Sequence, residues 1–302
     1  MNFTQTGISL ETDAVLPEKF AHPDITAKGE RRASVALESL ETLWINTGSL
    51  CNIECVNCYI ESGPKNDRLA YISAQEAIAY FDEIAALGLE TSEIAFTGGE
   101  PFMNPDMIAM AEAALERGFK VLILSNAMPP MQRPRVKAGL LKLRETYGSR
   151  LTIRVSLDHY TKELHEKERG PDSWEPAITG TDWLAQNGFN ITICGRTRWH
   201  EDEASSRAGY AALFAEHAWP VNPDRPGELV LLPEMDESAE VPEITIDCWG
   251  ILGKSPSEIM CATSRMVVKR KGAEEPVVLP CTLLPYIEAF EMGPTLADAA
   301  RA

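Results

Sequence analysis

Two hydrophobic rhythms alternate along the chain. Short apolar runs recur at Leu43-Trp44-Ile45-Asn46, Glu93 to Phe96, Val121 to Leu124, Leu151 to Leu157, Ile191 to Cys194 and Leu229 to Leu232. Each is too short for a helix and reads as a strand, and Leu151 to Leu157 alternates apolar and polar positions as a half-buried strand does. Between them, apolar residues three and four apart predict helices. The first opens on a capping box, Ser73 to Glu76, and stops at Gly88. The second starts at Asn104, with Pro105 in its first turn, and ends near Gly118. Others are predicted over Arg135 to Tyr147, Trp174 to Gln186 with Gly188 as C-cap, and Ala204 to His217.

Strands and helices alternating at this spacing imply parallel strands joined by crossover helices. Six such units predict an α/β fold, either an incomplete (βα)6 TIM-type barrel or an open doubly wound sheet. The barrel is preferred, because the unusual polar motifs all follow the ends of predicted strands: Cys51 to Cys58, Gly98 to Glu100, Ser125-Asn126, Ser156 to His159, Arg196-Thr197 and Glu234 to Asp236. In a parallel βα barrel those ends share the face that carries the active site. The rhythm breaks after Pro233. Residues 1–40 therefore read as an N-terminal extension, 41–235 as the barrel and 236–302 as a C-terminal extension.

Length and composition agree with this. The 302 residues are 44% hydrophobic, enough for a large core. No apolar run is long enough to cross a bilayer, and Met1 to Gly7 lack the pattern of a secretion signal, so no membrane and a cytoplasmic location are expected. A formal charge of −17 argues against nucleic acid as partner. It suits solubility or docking with a small redox partner. The one basic run, Lys269-Arg270-Lys271, reads as a solvated turn between strands.

Seven cysteines in such a chain are not expected to form disulfides, and three of them fall within eight residues, at Cys51, Cys55 and Cys58. On a helix they would form one stripe, but its outer members would be about 10 Å apart along the axis. A shared metal centre therefore needs a wrapping loop. Asn46-Thr47-Gly48-Ser49 before the cysteines, and Asn52, Glu54 and Asn57 among them, favour one. Structural zinc wants a fourth ligand, and no other Cys or His lies at short spacing. Three thiolates alone point to a [4Fe–4S] cluster with one open iron.

Cys-x3-Cys-x2-Cys after the first strand of a βα series resembles the signature of the radical S-adenosylmethionine (SAM) superfamily. The resemblance implies that the open iron chelates the amino and carboxylate groups of SAM. Reductive cleavage then gives a 5′-deoxyadenosyl radical that abstracts hydrogen from an organic substrate, a peptide or small metabolite. A flavodoxin- or ferredoxin-type reductant would supply the electron. Gly98-Gly99-Glu100-Pro101 resembles the family's second motif, where Gly98, Gly99 and Glu100 receive the SAM ammonium. Ser125 and Asn126 stand where relatives carry Thr-Asn-Gly. Ser156 and Arg169 match residues that hold the ribose and carboxylate. The family often has an aromatic residue before the third cysteine; here that place is Asn57, with Tyr59 after the cysteine.

Cys194 lies inside a strand and reads as core. Cys248, Cys261 and Cys281 lie in the tail, where Met260 to Arg265, Pro280 to Pro285 and Phe290 to Gly293 resemble the auxiliary-cluster extensions called SPASM or twitch domains. These three either hold a second iron–sulfur cluster or pack as structural cysteines; further cysteines usually follow in such relatives, so the extension is either reduced or continues beyond residue 302. His159, Arg196, Arg198, Trp199, Glu234 and Asp236 are candidate substrate contacts at the rim. The rival reading is a non-catalytic zinc or iron–sulfur electron-carrier module using the same loop cysteines. A Gly-Gly-Glu-Pro element and a barrel-sized pocket would be superfluous to it.

Overall fold

The computed structural model describes residues 18–234 and 239–300. Within them, 18–36 and 239–259 form one compact unit, and 37–234 with 260–300 form a second, larger one. Residues expected to make a single appended module from 236 onward are thus divided between the two.

The smaller unit is built from isolated bridges, Ile25 with Arg31 and Arg32 with Thr245, an ion pair between Arg32 and Glu243, and a short helix at Cys248–Leu252. The larger unit carries the βα series. Its strands are β1 (Thr42–Asn46), β2 (Glu93–Thr97), β3 (Lys120–Ser125), β4 (Leu151–Ser156), β5 (Asn190–Arg196), β6 (Leu229–Leu232), β7 (Ser264–Val268) and β8 (Val277–Leu279). They form one sheet in the order β6-β5-β4-β3-β2-β1-β7-β8, parallel except for the β7–β8 pair. The partial barrel is therefore the fold, with the tail adding two strands beside β1. Helices α1 (Ala74–Leu87), α2 (Met107–Glu116), α3 (Pro129–Gln132), α4 (Pro134–Tyr147), α5 (Lys162–Arg169), α6 (Trp174–Gln186) and α7 (Glu203–Glu216) connect the strands. No helix among the described residues is long and apolar enough to cross a membrane.

Burial along β4 shows how the sheet is used. Leu151, Ile153 and Val155 are buried in the hydrophobic core, whereas Thr152, Arg154 and Ser156 on the other face are only half-buried. The apolar face packs under helices and the polar face looks into the barrel.

Three local expectations change. The second helix begins at Met107, after a 3-10 turn over Pro101–Met103, because the Asn104 amide is drawn away to the carbonyls of Thr47 at 3.0 Å and Ile72 at 2.8 Å. Helix α5 had no apolar stripe to reveal it, since its buried residues are His165 and Glu168. Strand β7, buried at every position, completes the sheet on the β1 side instead of belonging to an appended module. Lys269, Arg270 and Lys271 do sit in the turn between β7 and β8, paired with Glu76, Glu291 and Asp67.

Candidate active site

The cysteine loop follows β1 and is not helical. Two anchors shape it. Where it leaves the strand, the turn after β2 lies directly against it: Gly99 N–H donates to Gly48 O at 2.8 Å and Glu100 N–H to Leu50 O at 3.1 Å. A Cβ on Gly99 would stand 2.0 Å from Leu50 O, and one on Gly98, whose φ is +137°, would stand 2.5 Å from Gly48 O. The glycines are needed first for this backbone contact. The second anchor is Glu168 at the end of α5. Its carboxylate accepts from the Asn57 backbone N–H at 2.8 Å and side-chain amide at 3.1 Å, while its carbonyl accepts from Val56 N–H at 2.9 Å. Asn57 is thus a fastening point for the loop.

Cys51, Cys55 and Cys58 all line one cavity of about 500 Å³ at the C-terminal ends of the strands. Gly98, Gly99, Ser125, Asn126, Ser156 and Arg169 line it too, so the predicted cofactor residues converge there, except Glu100. Glu100 lies buried behind the wall. Its carboxylate accepts from Ser125 Oγ at 3.0 Å, Phe102 N–H at 3.2 Å and Asn126 N–H at 2.9 Å. Burial pushes its pKa up to about 7, against the pull of these donors.

Arg169 faces Asp158, with Nε 2.8 Å from Oδ2 and Nη2 donating to Oδ1 at 3.1 Å. Burial opposes both charges, but the pair overrides it, holding Asp158 below and Arg169 above their ordinary values. Arg196 adds an Nε contact to Asp158 at 3.5 Å and pairs with Glu234 at 3.2 Å. It also donates to Asn57 O at 2.8 Å and stacks 4.9 Å from the Tyr59 ring centroid.

Of the rim candidates among the described residues, only Arg196 lines the cavity. Arg198 pairs with Glu168 at 2.6 Å; His159 is buried beside Glu201, with Trp199 edge-on to its ring at 4.8 Å. Asp236 lies outside the described residues. Cys194, expected in the core, instead lines the cavity, because β5 turns it to the barrel side with Arg196. Arg154, Trp44 and Leu124 of the wall carried no sequence signal beyond strand alternation. In the tail, Cys261 and Cys281 are near enough for each thiol to shift the other, which holds Cys281 low and Cys261 high. Their neighbours Met260, Thr282 and Leu283 line the cavity. Cys248 belongs to the smaller unit, where its sulfur accepts from Thr245 N–H at 3.4 Å.

Among the described residues no three Cys, His, Asp or Glu side chains are drawn together as a closed metal site, so the loop thiols would have to close on a cluster; their surroundings suit iron–sulfur ligation. Ser62 N–H donates to Cys58 Sγ at 3.3 Å and Asn126 Nδ2 to Cys51 Sγ at 3.8 Å, the kind of donors that stabilise ligating sulfur. Burial raises the free thiols to about 12 at Cys51 and about 11 at Cys55, the latter against the pull of Arg169.

The sequence profile of the radical SAM superfamily matches residues 45–203, more than half of the chain, from within β1 to beyond β5. The chain belongs to the radical SAM superfamily. Enzymes of this superfamily use a [4Fe–4S] cluster and SAM. Among curated relatives, the subtilosin biosynthesis protein AlbA of Bacillus subtilis is 30% identical over 40% of this chain and 25% of its own length. The AdoMet-dependent heme synthase of Methanosarcina barkeri is 29% identical over 47% of this chain and 38% of its own. Mycofactocin maturase MftC of Mycolicibacterium smegmatis is 25% identical over 54% and 40%. The chain thus spans less than half the length of these relatives. Streptococcus suis SuiB bound to SAM shares the fold at TM-score 0.58 and 14% identity, over 85% of this chain and 64% of SuiB. The anSMEcpe structure with bound AdoMet matches at 0.58 and 14%, over 85% and 79%.

Proposed function

We propose that Cys51, Cys55 and Cys58 hold a [4Fe–4S] cluster, and that the chain reductively cleaves SAM to start radical chemistry on an organic substrate. The observation that carries this is the convergence of three loop thiols, the Gly98-Gly99 turn and the Asp158–Arg169 pair on one cavity. When bound, the cluster supplies the electron that breaks the sulfonium bond of SAM, giving a 5′-deoxyadenosyl radical that takes hydrogen from the substrate.

The protein's part is positional. Arg169, held by Asp158, presents a planar cation to the SAM carboxylate. Glu100 works from behind the wall, holding Ser125 and Asn126 in place and lending negative potential toward the ammonium. Ser156 stands where the ribose would lie. The apolar wall at Trp44, Leu124 and Val230 keeps water from a reactive centre. At the place of the family's aromatic residue Asn57 fastens the loop to Glu168, and Tyr59 stacks on Arg196. A flavodoxin- or ferredoxin-type protein is the proposed reductant, and the substrate is a peptide or a small metabolite. Relatives named for bacteriocin biosynthesis and mycofactocin maturation support the first, and the heme synthase supports the second.

The test is chemical. Anaerobically reconstituted protein given dithionite and SAM should release 5′-deoxyadenosine, and Arg169→Ala should weaken SAM binding with iron retained. Stoichiometric zinc without iron, and no 5′-deoxyadenosine, would favour the non-catalytic module instead.

A further inference from the structure

Three arginines line the cavity, Arg154, Arg169 and Arg196, and among the described residues its wall holds no Asp or Glu. Two of the three are neutralised from behind. Arg169 faces Asp158, and Arg196 meets Asp158, Glu168 and Glu234. Arg154 pairs with no carboxylate among the described residues. Its side-chain bond there runs from Nε to Thr192 Oγ1 at 3.2 Å, which leaves the two terminal amino groups to the cavity.

The position is specific. Arg154 lies two residues before Ser156 on the same face of β4, in register with Leu124 on β3 and Thr192 on β5. It therefore sits about 7 Å deeper in the barrel than Ser156. Its register neighbour Leu124 is apolar, and Trp44 and Val230 are further apolar members of the cavity lining. A guanidinium in such surroundings without an anion forgoes solvation and gains little in return. With Nε fixed by Thr192, its outer edge offers the parallel N–H pair that suits an oxyanion.

We infer that Arg154 anchors the substrate through an oxyanion, a carboxylate or a phosphate, in the deep part of the cavity beyond SAM. Calling the occupant the substrate rests on the SAM-cleaving reading above; the anion site itself does not. Of the nearby titratable groups, Glu93 and Cys194 are both influenced by Arg154, but neither pairs with it. The chain as a whole is acidic, at −17, so a guanidinium without a carboxylate partner among the described residues is a local departure that favours an anion the surface would repel.

The experiment is a calorimetric titration of the anaerobic, reconstituted protein at saturating SAM, so that the Arg169 subsite is filled. Benzoate, phenyl phosphate and neutral benzamide are the probes. One of the two anions should bind at least tenfold tighter than benzamide, and which one tells carboxylate from phosphate. Arg154→Leu should lose that anion tenfold or more, Arg154→Lys should lose less, and SAM affinity should stay unchanged in both. Benzamide binding as tightly as both anions in the unaltered protein would overturn the inference, whether or not Arg154→Leu folds. So would anion binding that survives Arg154→Leu, or a loss of SAM affinity in Arg154→Lys with anion binding intact. Arg154-dependent anion binding in a protein whose cluster ignores SAM would instead refute the SAM-cleaving reading alone.

Discussion

Glu168 grips Asn57 with both carboxylate oxygens, at 2.8 Å and 3.1 Å, so a residue on α5 fixes the chain between Cys55 and Cys58. Its side chain is fully buried and also faces Arg196 and Arg198. Glu168→Ala strips the loop of two hydrogen bonds and the arginines of a partner. The expected loss of stability is about 3 kcal/mol. Chelator-driven iron release should quicken more than the melting point alone accounts for, and Glu168→Gln should recover part of the retention. Iron release that merely follows the melting point would show Glu168 to be structural only.

Gly99→Ala places a methyl group 2.0 Å from the Leu50 carbonyl oxygen, where backbone must move on both sides. The cost should reach the upper part of the 1–3 kcal/mol typical of overpacking, or exceed it. Cluster incorporation should fall with it, because Leu50 leads straight into Cys51. Gly227→Ala, where nothing lies within 4 Å and φ is not left-handed either, serves as the control for losing a glycine alone. Equal iron content in the two variants would contradict the close-contact role.

His165 is buried with both ring nitrogens unpaired among the described residues. Burial pushes its pKa down to about 3, with Arg169 and His159 pushing the same way and Asp158 opposing. Below about pH 6.5 the unfolded chain therefore binds a proton that the folded chain refuses. Stability should be full above that pH and fall as pH drops toward 3, by at most about 1.4 kcal/mol per pH unit from this group. His165→Leu should flatten the slope of denaturation midpoint against pH between 6 and 4. An unchanged slope would show that His165 is not buried neutral.

The barrel was legible because its strands and helices obey different hydrophobic periods, and because the cysteine and glycine motifs follow strand ends. What was illegible lacked such a signature. Helix α5 buries His165 and Glu168 instead of an apolar stripe, so Arg169 reads as following a turn. Strand β7 stands far from β1 in sequence, and its place beside β1 follows from tertiary pairing. Asn57 looked like a missing aromatic; its partner Glu168 lies 111 residues away. The seat of Glu100 behind the wall depends on Ser125 and Asn126 coming from another strand.

For the tail cysteines, iron counting decides. Cys261 and Cys281, whose thiols shift each other and which stand beside residues of the cavity wall, offer two neighbouring thiols to a second cluster. If they ligate one, iron should exceed a single [4Fe–4S] unit, and the Cys261→Ala, Cys281→Ala double variant should lose only the excess. Iron matching one cluster, unchanged by the substitution, would leave them as packing residues worth about 1 kcal/mol each.

The central claim is that Cys51, Cys55 and Cys58 hold a cluster that engages SAM. Electron paramagnetic resonance of the anaerobic, dithionite-reduced protein, with and without SAM, tests it most directly. A reduced [4Fe–4S] signal whose shape changes on adding SAM, and which vanishes in the triple Cys→Ala variant at these positions, is the predicted result. A signal indifferent to SAM, or one that survives the triple substitution, would contradict it.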